Sequence, residues 1–359
     1  MLQPGTKVRW WLLWAAIPYG VVARLPPLLY SWGWFVQRRL PVPVLSVGNL
    51  TLGGTGKTPV VILLVEWLLA QGKRVAILSR GYRRTSTDEY VLVSNGEGLL
   101  VGPDEAGDEP FLMAQRCPKA IVAVGADRYE LGYWVLDQFP IDCLVLDDGF
   151  QHLSLYRDVN LLLVDATDVE GLAALVPAGR LREPLQAASR ATAVVITRAE
   201  VPAQVTGVCR KLQSGLAPMQ PQIQAVFRPE SLWSVVAGSS QPLSWANGKT
   251  ALLCSGVGHA ASFRSLVETL GIRIVAAVAY ADHHAYTRQD VERVRARATE
   301  LQAELVVTTE KDACKLTKLL QPTDSWWAIR LATDITVGKD QLKQIVLHPL
   351  NPLSPETRG

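Results

Sequence analysis

A chain of 359 residues with 48% hydrophobic and 19% charged residues is long enough for two ordinary domains with ample core, which excludes a disordered chain. Its five cysteines, Cys117, Cys143, Cys209, Cys254 and Cys314, are odd in number and never in CxxC spacing; this argues against a disulfide framework or a zinc site and fits a reducing compartment. The net charge of +3 is unevenly placed, because residues 1–45 hold Lys7, Arg9, Arg24, Arg38 and Arg39 and no acid, leaving −2 on the remainder; basicity concentrated on the most apolar segment speaks against a nucleic-acid partner and for an anionic membrane surface.

Residues 10–23, WWLLWAAIPYGVVA, carry no charge between Arg9 and Arg24. A helix of that length reaches about 21 Å, short of the ~30 Å hydrocarbon core of a bilayer. Pro18 and Gly20 are expected to bend it, and five of the eleven Trp lie within the first 34 residues. Trp favours the headgroup level, where its ring is partly apolar and its N–H stays wet. The expectation is an embedded anchor that does not span. A signal peptide and a core helix are the alternatives, although no A-x-A-like cleavage site follows.

From residue 42 short apolar runs alternate with helical stretches. Strands are expected at 42–47, 74–79, 120–124, 142–147, 160–165 and 193–197, and helices at 59–71, 106–116 and 127–138. Continuous apolar strands without alternation imply a parallel sheet covered on both faces, hence a doubly wound α/β domain. Residues 200–245 are less regular and carry five prolines. A second α/β pattern follows, with strands at 250–256, 272–280, 304–309 and 326–331 and helices at 259–271, 287–302 and 310–320. The division is an anchor over 1–40, a phosphate-binding core over 41–205, a linker over 206–245, a smaller α/β domain over 246–335 and a tail over 336–359.

SVGNLTLGGTGKTP, residues 46–59, follows an expected strand and opens an expected helix. Gly53, Gly54 and Gly56 let backbone N–H groups, with that of Thr55, approach phosphate oxygens closely. The helix N-terminus adds a favourable dipole. Lys57 is placed to reach β- and γ-phosphates, the Thr58 hydroxyl to bind Mg²⁺, and Pro59 suits the first helical turn. The first glycine of the strict pattern falls on Thr51, so a plain Gly-rich turn is the rival. CLVLDD, 143–148, is an apolar strand ending in acid, as a Walker B strand is. Together the two motifs indicate an Mg-ATP or Mg-GTP site.

The phosphate loop, SRGY (79–82), GDEP (107–110), DDGFQH (147–152), PAGRLREP (177–184), ADHHAYT (281–287) and TTEKDACKL (308–316) resemble the tetraacyldisaccharide 4′-kinase family, in the family's order and from about residue 10 to 335. The resemblance implies two α/β/α domains joined by a thin two-stranded linker, with the site in the cleft and a membrane-associated N-terminal helix. It implies ATP- and Mg²⁺-dependent phosphorylation of the 4′-hydroxyl of a lipid-linked disaccharide 1-phosphate, giving lipid IVA. The expected place is the cytoplasmic face of a Gram-negative inner membrane, and the expected state a monomer. Departures are Arg83 after SRGY, SGVGHA at 255–260, and ITR at 196–198.

The resemblance assigns the base to Asp108, paired with His283. By themselves Asp104, Glu105, Asp108 and Glu109 also read as a solvated face or a helix N-terminus, and His283 and His284 as a surface pair. Asp147 and Asp148 are candidate Mg²⁺ ligands, with Glu183 as a third carboxylate and Thr58 as the hydroxyl ligand. His152 is a candidate near the phosphates, or a core histidine. Arg128 and Arg182 are candidate phosphate clamps, since guanidinium binds phosphate bidentately, or surface ion pairs. Lys311 faces the nucleotide or pairs with Asp312. Arg24, Arg38 and Arg39 are candidates to meet the substrate's 1-phosphate. The rival functions are a membrane P-loop NTPase without a small-molecule acceptor, a soluble P-loop kinase or ligase of a cofactor precursor, and a non-enzymatic membrane adaptor.

Overall fold

The computed structural model describes residues 9–82, 84–256 and 260–350. Lys7, Arg83, positions 257–259 of SGVGHA and the last nine tail residues lie outside them. The helices are α1 (Leu13–Ser31), α2 (Lys57–Ala70), α3 (Pro103–Ala106), α4 (Asp108–Arg116), α5 (Arg128–Gln138), α6 (Pro202–Leu212), α7 (Ala260–Thr269), α8 (Arg288–Glu300), α9 (Glu310–Leu316) and α10 (Lys339–Leu347). The strands are β1 (Val44–Asn49), β2 (Val75–Ser79), β3 (Tyr90–Asn95), β4 (Ile121–Gly125), β5 (Cys143–Asp147), β6 (Val159–Asp165), β7 (Ala193–Thr197), β8 (Gln222–Ser234), β9 (Ser240–Gln241), β10 (Thr250–Ser255), β11 (Arg273–Ala279), β12 (Leu305–Thr309) and β13 (Trp326–Val337).

The thirteen strands among the described residues form one sheet, in the order β11-β10-β12-β13-β8-β7-β6-β1-β5-β2-β4-β3, with β9 paired to β8. Two parallel groups, β7-β6-β1-β5-β2-β4 and β11-β10-β12, are joined by the long antiparallel pair β8 and β13. β8 extends β7 in parallel at its start and pairs β13 along the rest. Pro229 sits inside β8 beside the register shift at Arg330–Leu331, where a missing N–H costs the ladder little. β3 is an antiparallel edge on β4.

Because side chains alternate across a strand, each parallel group has a core on each face. Leu45, Val47, Val75, Ile77, Val122 and Val145 face α2, α4 and α10. Val44, Ala76, Leu78, Ala123, Leu144 and Leu146 face Leu131 and Val135 of α5. Leu252, Cys254 and Val306 pack on α8 and α9, while Ala251, Leu253 and Val307 pack on α7. Cys314 of α9 belongs to the core of the first group, so α9 is where the halves interlock.

Arg116, at the end of α4, is held at this junction. Its guanidinium lies 2.8 Å from Glu310 of α9, 3.3 Å from Glu230 of β8 and 3.9 Å from Glu66 of α2. Burial works against its charge, but these glutamates hold its pKa above the ordinary value.

α1 with its preceding turn forms a helical segment over Trp10–Ser31, longer than expected from sequence. Its 22 residues are long and apolar enough to cross a membrane, so the length argument against spanning does not hold. The helix accommodates Pro18, Pro26 and Pro27. Buried contacts are confined to Ala16 and Gly20, while Trp10, Trp14, Ile17, Val21 and Trp32 are each more than 60% exposed.

Arg116→Met is expected to destabilise the protein by about 3 kcal/mol, because it leaves the largely buried Glu310 without its nearest cation. Urea denaturation checks this, and a loss below ~1 kcal/mol contradicts it.

Candidate active site

The site is assembled along the C-terminal edge of neighbouring strands, where an open α/β sheet leaves a crevice. β1 leads into the phosphate loop, β5 ends on Asp147, β2 leads to SRGY and β4 leads to Arg128.

α2 starts at Lys57 behind Gly56, which has φ +80° and offers no side-chain cap. Its first N–H groups are therefore available to an anion, whereas those of α5, α8 and α9 are capped by Asp127, Thr287 and Thr309. A Cβ at Gly56 would collide with the Phe227 ring of β8. Gly53, at φ +118°, has Arg180 Nη2 only 2.5 Å from where a Cβ would sit. Thr51 stands where the strict pattern has glycine because the chain there is extended, bridged antiparallel to Leu181.

The loop is braced from the 180–198 region. Arg180 donates to Leu52 O from Nε at 2.9 Å and pairs with Asp168 at 2.7 Å, fully within the protein. Thr197 Oγ1 donates to Thr55 O at 2.9 Å, and Arg198 donates to Gly54 O at 3.2 Å while pairing with Asp165. Sequence reading missed Arg180 and Arg198. Both lie in quoted motifs, PAGRLREP and ITR, but nothing in their spacing reveals a contact with a loop more than a hundred residues away.

Lys57 Nζ lies 3.4 Å from Asp148 Oδ1 and donates to Asn49 Oδ1 at 3.3 Å. Asp148 also accepts from Arg182 at 3.2 Å. It has φ +52°, an uncommon backbone state that turns its side chain out of line with β5. Burial opposes its charge, but Lys57 and Arg182 hold its carboxyl below the usual range. Asp147 is buried, accepts from Ser79 Oγ at 2.9 Å and leaves Oδ1 without a partner. Burial pushes its carboxyl up to about 7, and Glu109 and Asp148 add to the rise. An orphaned buried carboxylate oxygen beside an ionised neighbour suits a hard cation. No group of three His, Cys, Asp or Glu side chains converges as a metal cluster among the described residues. Thr58 stands in the first turn of α2. Glu183 is engaged by Gln151 at 3.1 Å and Arg190 at 2.7 Å, and meets Arg182 through Gln151.

Arg128 is buried at the start of α5, with Nη1 donating to Ala126 O at 2.7 Å and Nε unpartnered. Burial lowers its pKa, partly offset by Asp147. His152 contacts Ser154 Oγ at 3.3 Å, and burial together with the charge of Arg128 pushes its ring down to about 4. It is therefore uncharged at neutral pH.

Asp108 and His283, from opposite halves of the chain, meet with Oδ2 and Nδ1 3.2 Å apart. Lys315 Nζ lies 2.8 Å from the same Oδ2. Burial opposes ionisation of Asp108, but the bonds from His283 and Lys315 and the charge of Lys311 hold its carboxyl below the ordinary range. Gly107 packs against the backbone of Gly81 and Tyr82, which sets Asp108 beside the end of β2. The acid cluster also occupies helix first turns, Asp104 and Glu105 in α3 and Asp108 and Glu109 in α4. His283 has φ +61° and faces Tyr82 edge-on at 6.0 Å. Lys311 pairs with Asp282 and contacts His283, not Asp312, which binds Thr309 and Gly256 N. His284 is stacked on Tyr280 and bonded to Asp290. Arg38 pairs with Glu130, Arg39 lies over the Tyr156 ring and Arg24 bonds Gly20 O.

A family model described as "Tetraacyldisaccharide-1-P 4'-kinase" matches residues 8–351. A tetraacyldisaccharide 4′-kinase from Geobacter sulfurreducens is 41% identical over 307 residues, spanning 84% of this chain and 83% of that protein. The Syntrophus aciditrophicus protein of the same name is 40% identical over 304 residues, 83% and 81% of the two chains. A crystal structure described as the "apo" form of LpxK from Aquifex aeolicus in complex with ATP matches with a TM-score of 0.79 and 32% identity, covering 96% of this chain and 99% of that one.

The raised Asp147 carboxyl has a sign that can be checked. Its protonated form is favoured by folding, so its contribution is present at low pH and is lost as pH rises from 3.8 through about 7. Asp147→Asn keeps an acceptor for Ser79 and cannot ionise. Thermal melts of metal-free protein are expected to show stabilisation by about 2–4 kcal/mol at pH 8, little change near pH 4 and weaker binding of Mg²⁺ with nucleotide at pH 8.

Proposed function

The chain belongs to the tetraacyldisaccharide-1-P 4′-kinase family, and from that premise we propose that it transfers the γ-phosphate of ATP to the 4′-hydroxyl of a tetraacyldisaccharide 1-phosphate, giving lipid IVA. The observation that carries the residue assignment is the Asp108–His283 contact, which brings a carboxylate from the phosphate-binding half against a histidine from the other half.

Phosphoryl transfer asks a protein for positioning and charge neutralisation. The N–H groups of residues 53–58 hold the β- and γ-phosphates, and Lys57 turns from Asp148 to them. Arg182 and Arg128 meet charge that develops on the transferring group. His152 supports the phosphate side without adding charge. Thr58, Asp147 and Asp148, with Glu183 nearby, would hold Mg²⁺, which would supply charge neutralisation at the phosphate oxygens and the leaving diphosphate. Asp108 accepts the hydroxyl proton on Oδ1 while His283 fixes Oδ2. The sugar oxygen forms its bond to the γ-phosphorus as the bond to the bridging oxygen breaks, and that electron pair leaves with ADP.

The acceptor's acyl chains stay in a bilayer, so the site must come to the surface. α1 supports this reading. It exposes Trp14, Ile17 and Val21, with Trp10 in the preceding turn and Trp32 just past its end also exposed, and its Tyr19 hydroxyl donates to Arg182 O at 3.0 Å. The chain works as a monomer at the cytoplasmic face of the inner membrane. Residues 1–40 serve as anchor, 41–205 as nucleotide domain, 206–245 as linker, 246–335 as the second domain and 336–359 as tail.

Transfer of radiolabel from [γ-³²P]ATP to the disaccharide 1-phosphate in detergent micelles tests the reading. Wild type labels the lipid. Asp108→Ala is expected to lower kcat by about 10²–10⁴-fold with little change in ATP affinity. Lys57→Ala loses about 10²–10³-fold through lost phosphate stabilisation. Label released only as inorganic phosphate would favour an NTPase without an acceptor. A truncation lacking residues 1–38 is expected to lose sedimentation with anionic vesicles while keeping nucleotide binding; equal sedimentation would remove the anchor from the account.

A further inference from the structure

We propose that Lys315 and Lys311 of α9 are positioning residues for the base: Lys315 engages Oδ2 of Asp108 so that Oδ1 is left to the acceptor hydroxyl, and Lys311 fixes the tautomer of His283. This deepens the kinase reading of the site and rests on it.

The two lysines are four residues apart, so they project from one face of α9, whose start is set by the Thr309 cap. Lys315 Nζ lies 2.8 Å from Asp108 Oδ2 and is steadied by donating to His284 O at 3.2 Å. His283 Nδ1 takes the same Oδ2 at 3.2 Å. Both partners therefore crowd one oxygen, and among the described residues Oδ1 of Asp108 accepts no hydrogen bond. Lys311 Nζ lies 3.0 Å from His283 Nε2. An ammonium has three donors and no acceptor, so Nε2 must accept and the ring hydrogen must sit on Nδ1, pointing at Asp108. With Nδ1 already carrying hydrogen, His283 orients the carboxylate and the hydroxyl proton stays on Asp108. Asp282, 3.3 Å from Lys311, holds that lysine in turn.

The charged and titratable groups around Asp108 are few. α9 brings Lys311 and Lys315, with the Cys314 thiol between them and Glu310 tied to Arg116. The loop after β11 brings Asp282, His283 and His284, and Tyr82 faces the His283 ring. α3 brings the exposed Asp104 and Glu105, and α4 itself Glu109. α2 meets α4 through Glu66 at the Arg116 end. β3 adds Tyr90, bonded to Glu89, and β4 carries no ionisable side chain. The lysines are thus the nearby cations that favour the carboxylate. They come from the half of the chain that does not hold the phosphate loop, so the base is complete only when the halves are docked.

The test is the pH dependence of lipid phosphorylation by the full-length protein, using [γ-³²P]ATP, Mg²⁺ and tetraacyldisaccharide 1-phosphate in micelles. Lys315→Gln keeps a donor and removes the charge. Its kcat is expected to fall about tenfold from neutral pH to pH 9, where the carboxylate stays ionised, and about a hundredfold at the foot of the acid limb, which lies well below neutral pH and moves up by about one unit, with KM for ATP unchanged. Lys315→Arg restores most of the activity and the wild-type limb. Lys311→Gln, which can still donate to Nε2, is expected to retain activity that Lys311→Met loses about tenfold. Wild-type profiles for Lys315→Gln, a loss equal at every pH and not rescued by arginine, or equal activity of the two Lys311 variants would overturn the inference. Those outcomes require an active wild type; a wild type that labels no lipid would instead remove the kinase reading beneath it. If Lys315→Gln fails to fold, as judged by ATP binding, the Lys311 pair decides the matter.

Discussion

One short helix has to satisfy both halves of the molecule. α4 begins at Asp108, which must reach His283 and Lys315, and ends at Arg116, which must meet Glu66, Glu230 and Glu310. A buried guanidinium is costly unless it is paired, so the three glutamates fix where α2, β8 and α9 stand around α4. With that end pinned, the position of α9 follows, and with it the two lysines that face the base. The chemistry at one end of α4 is thus set by electrostatics at the other, across a helix of nine residues.

A comparable economy holds the phosphate loop. Backbone rich in glycine loses more freedom on ordering than any other, so a preformed loop needs outside support. Arg180, Thr197 and Arg198 supply it by binding the carbonyls of Leu52, Thr55 and Gly54, which leaves the N–H groups for phosphate. The same stretch reaches the apolar N-terminal segment, since Arg9 N donates to Ala178 O and Tyr19 of α1 to Arg182 O. Arg182 in turn binds Asp148. A continuous path of hydrogen bonds therefore connects the apolar surface of α1 with the carboxylate beside Lys57.

Much of this is legible in the sequence, for identifiable reasons. The strands of the parallel groups show themselves because burial on both faces forces continuous apolar runs such as LLLV in β6. The phosphate loop is visible because backbone approach to phosphate demands glycine at fixed spacing. β8 is hidden, because a long strand with Pro229 and alternating exposure reads as irregular chain, and β3 is hidden because an edge strand is half polar. That both parallel groups belong to one sheet depends on β8 and β13 pairing across about a hundred residues, which no local pattern encodes. The full extent of α1 is hidden, because Arg24 closes the uncharged stretch that begins after Arg9 while the helix continues past it to Ser31. Partnerships such as Arg116 with Glu310, or Lys315 with Asp108, join residues that look in sequence like ordinary surface charges.

The central claim is that Lys57 and Asp108 address the same phosphate from two sides of one cleft. A crystal structure with Mg²⁺ and a non-hydrolysable ATP analogue measures this directly. The account predicts phosphate oxygens on the N–H groups of residues 53–58, the metal at Thr58 and the Asp147–Asp148 pair, and the terminal phosphate facing Oδ1 of Asp108 across the cleft. A nucleotide seated elsewhere, or a terminal phosphate sharing no cavity with Asp108, contradicts it.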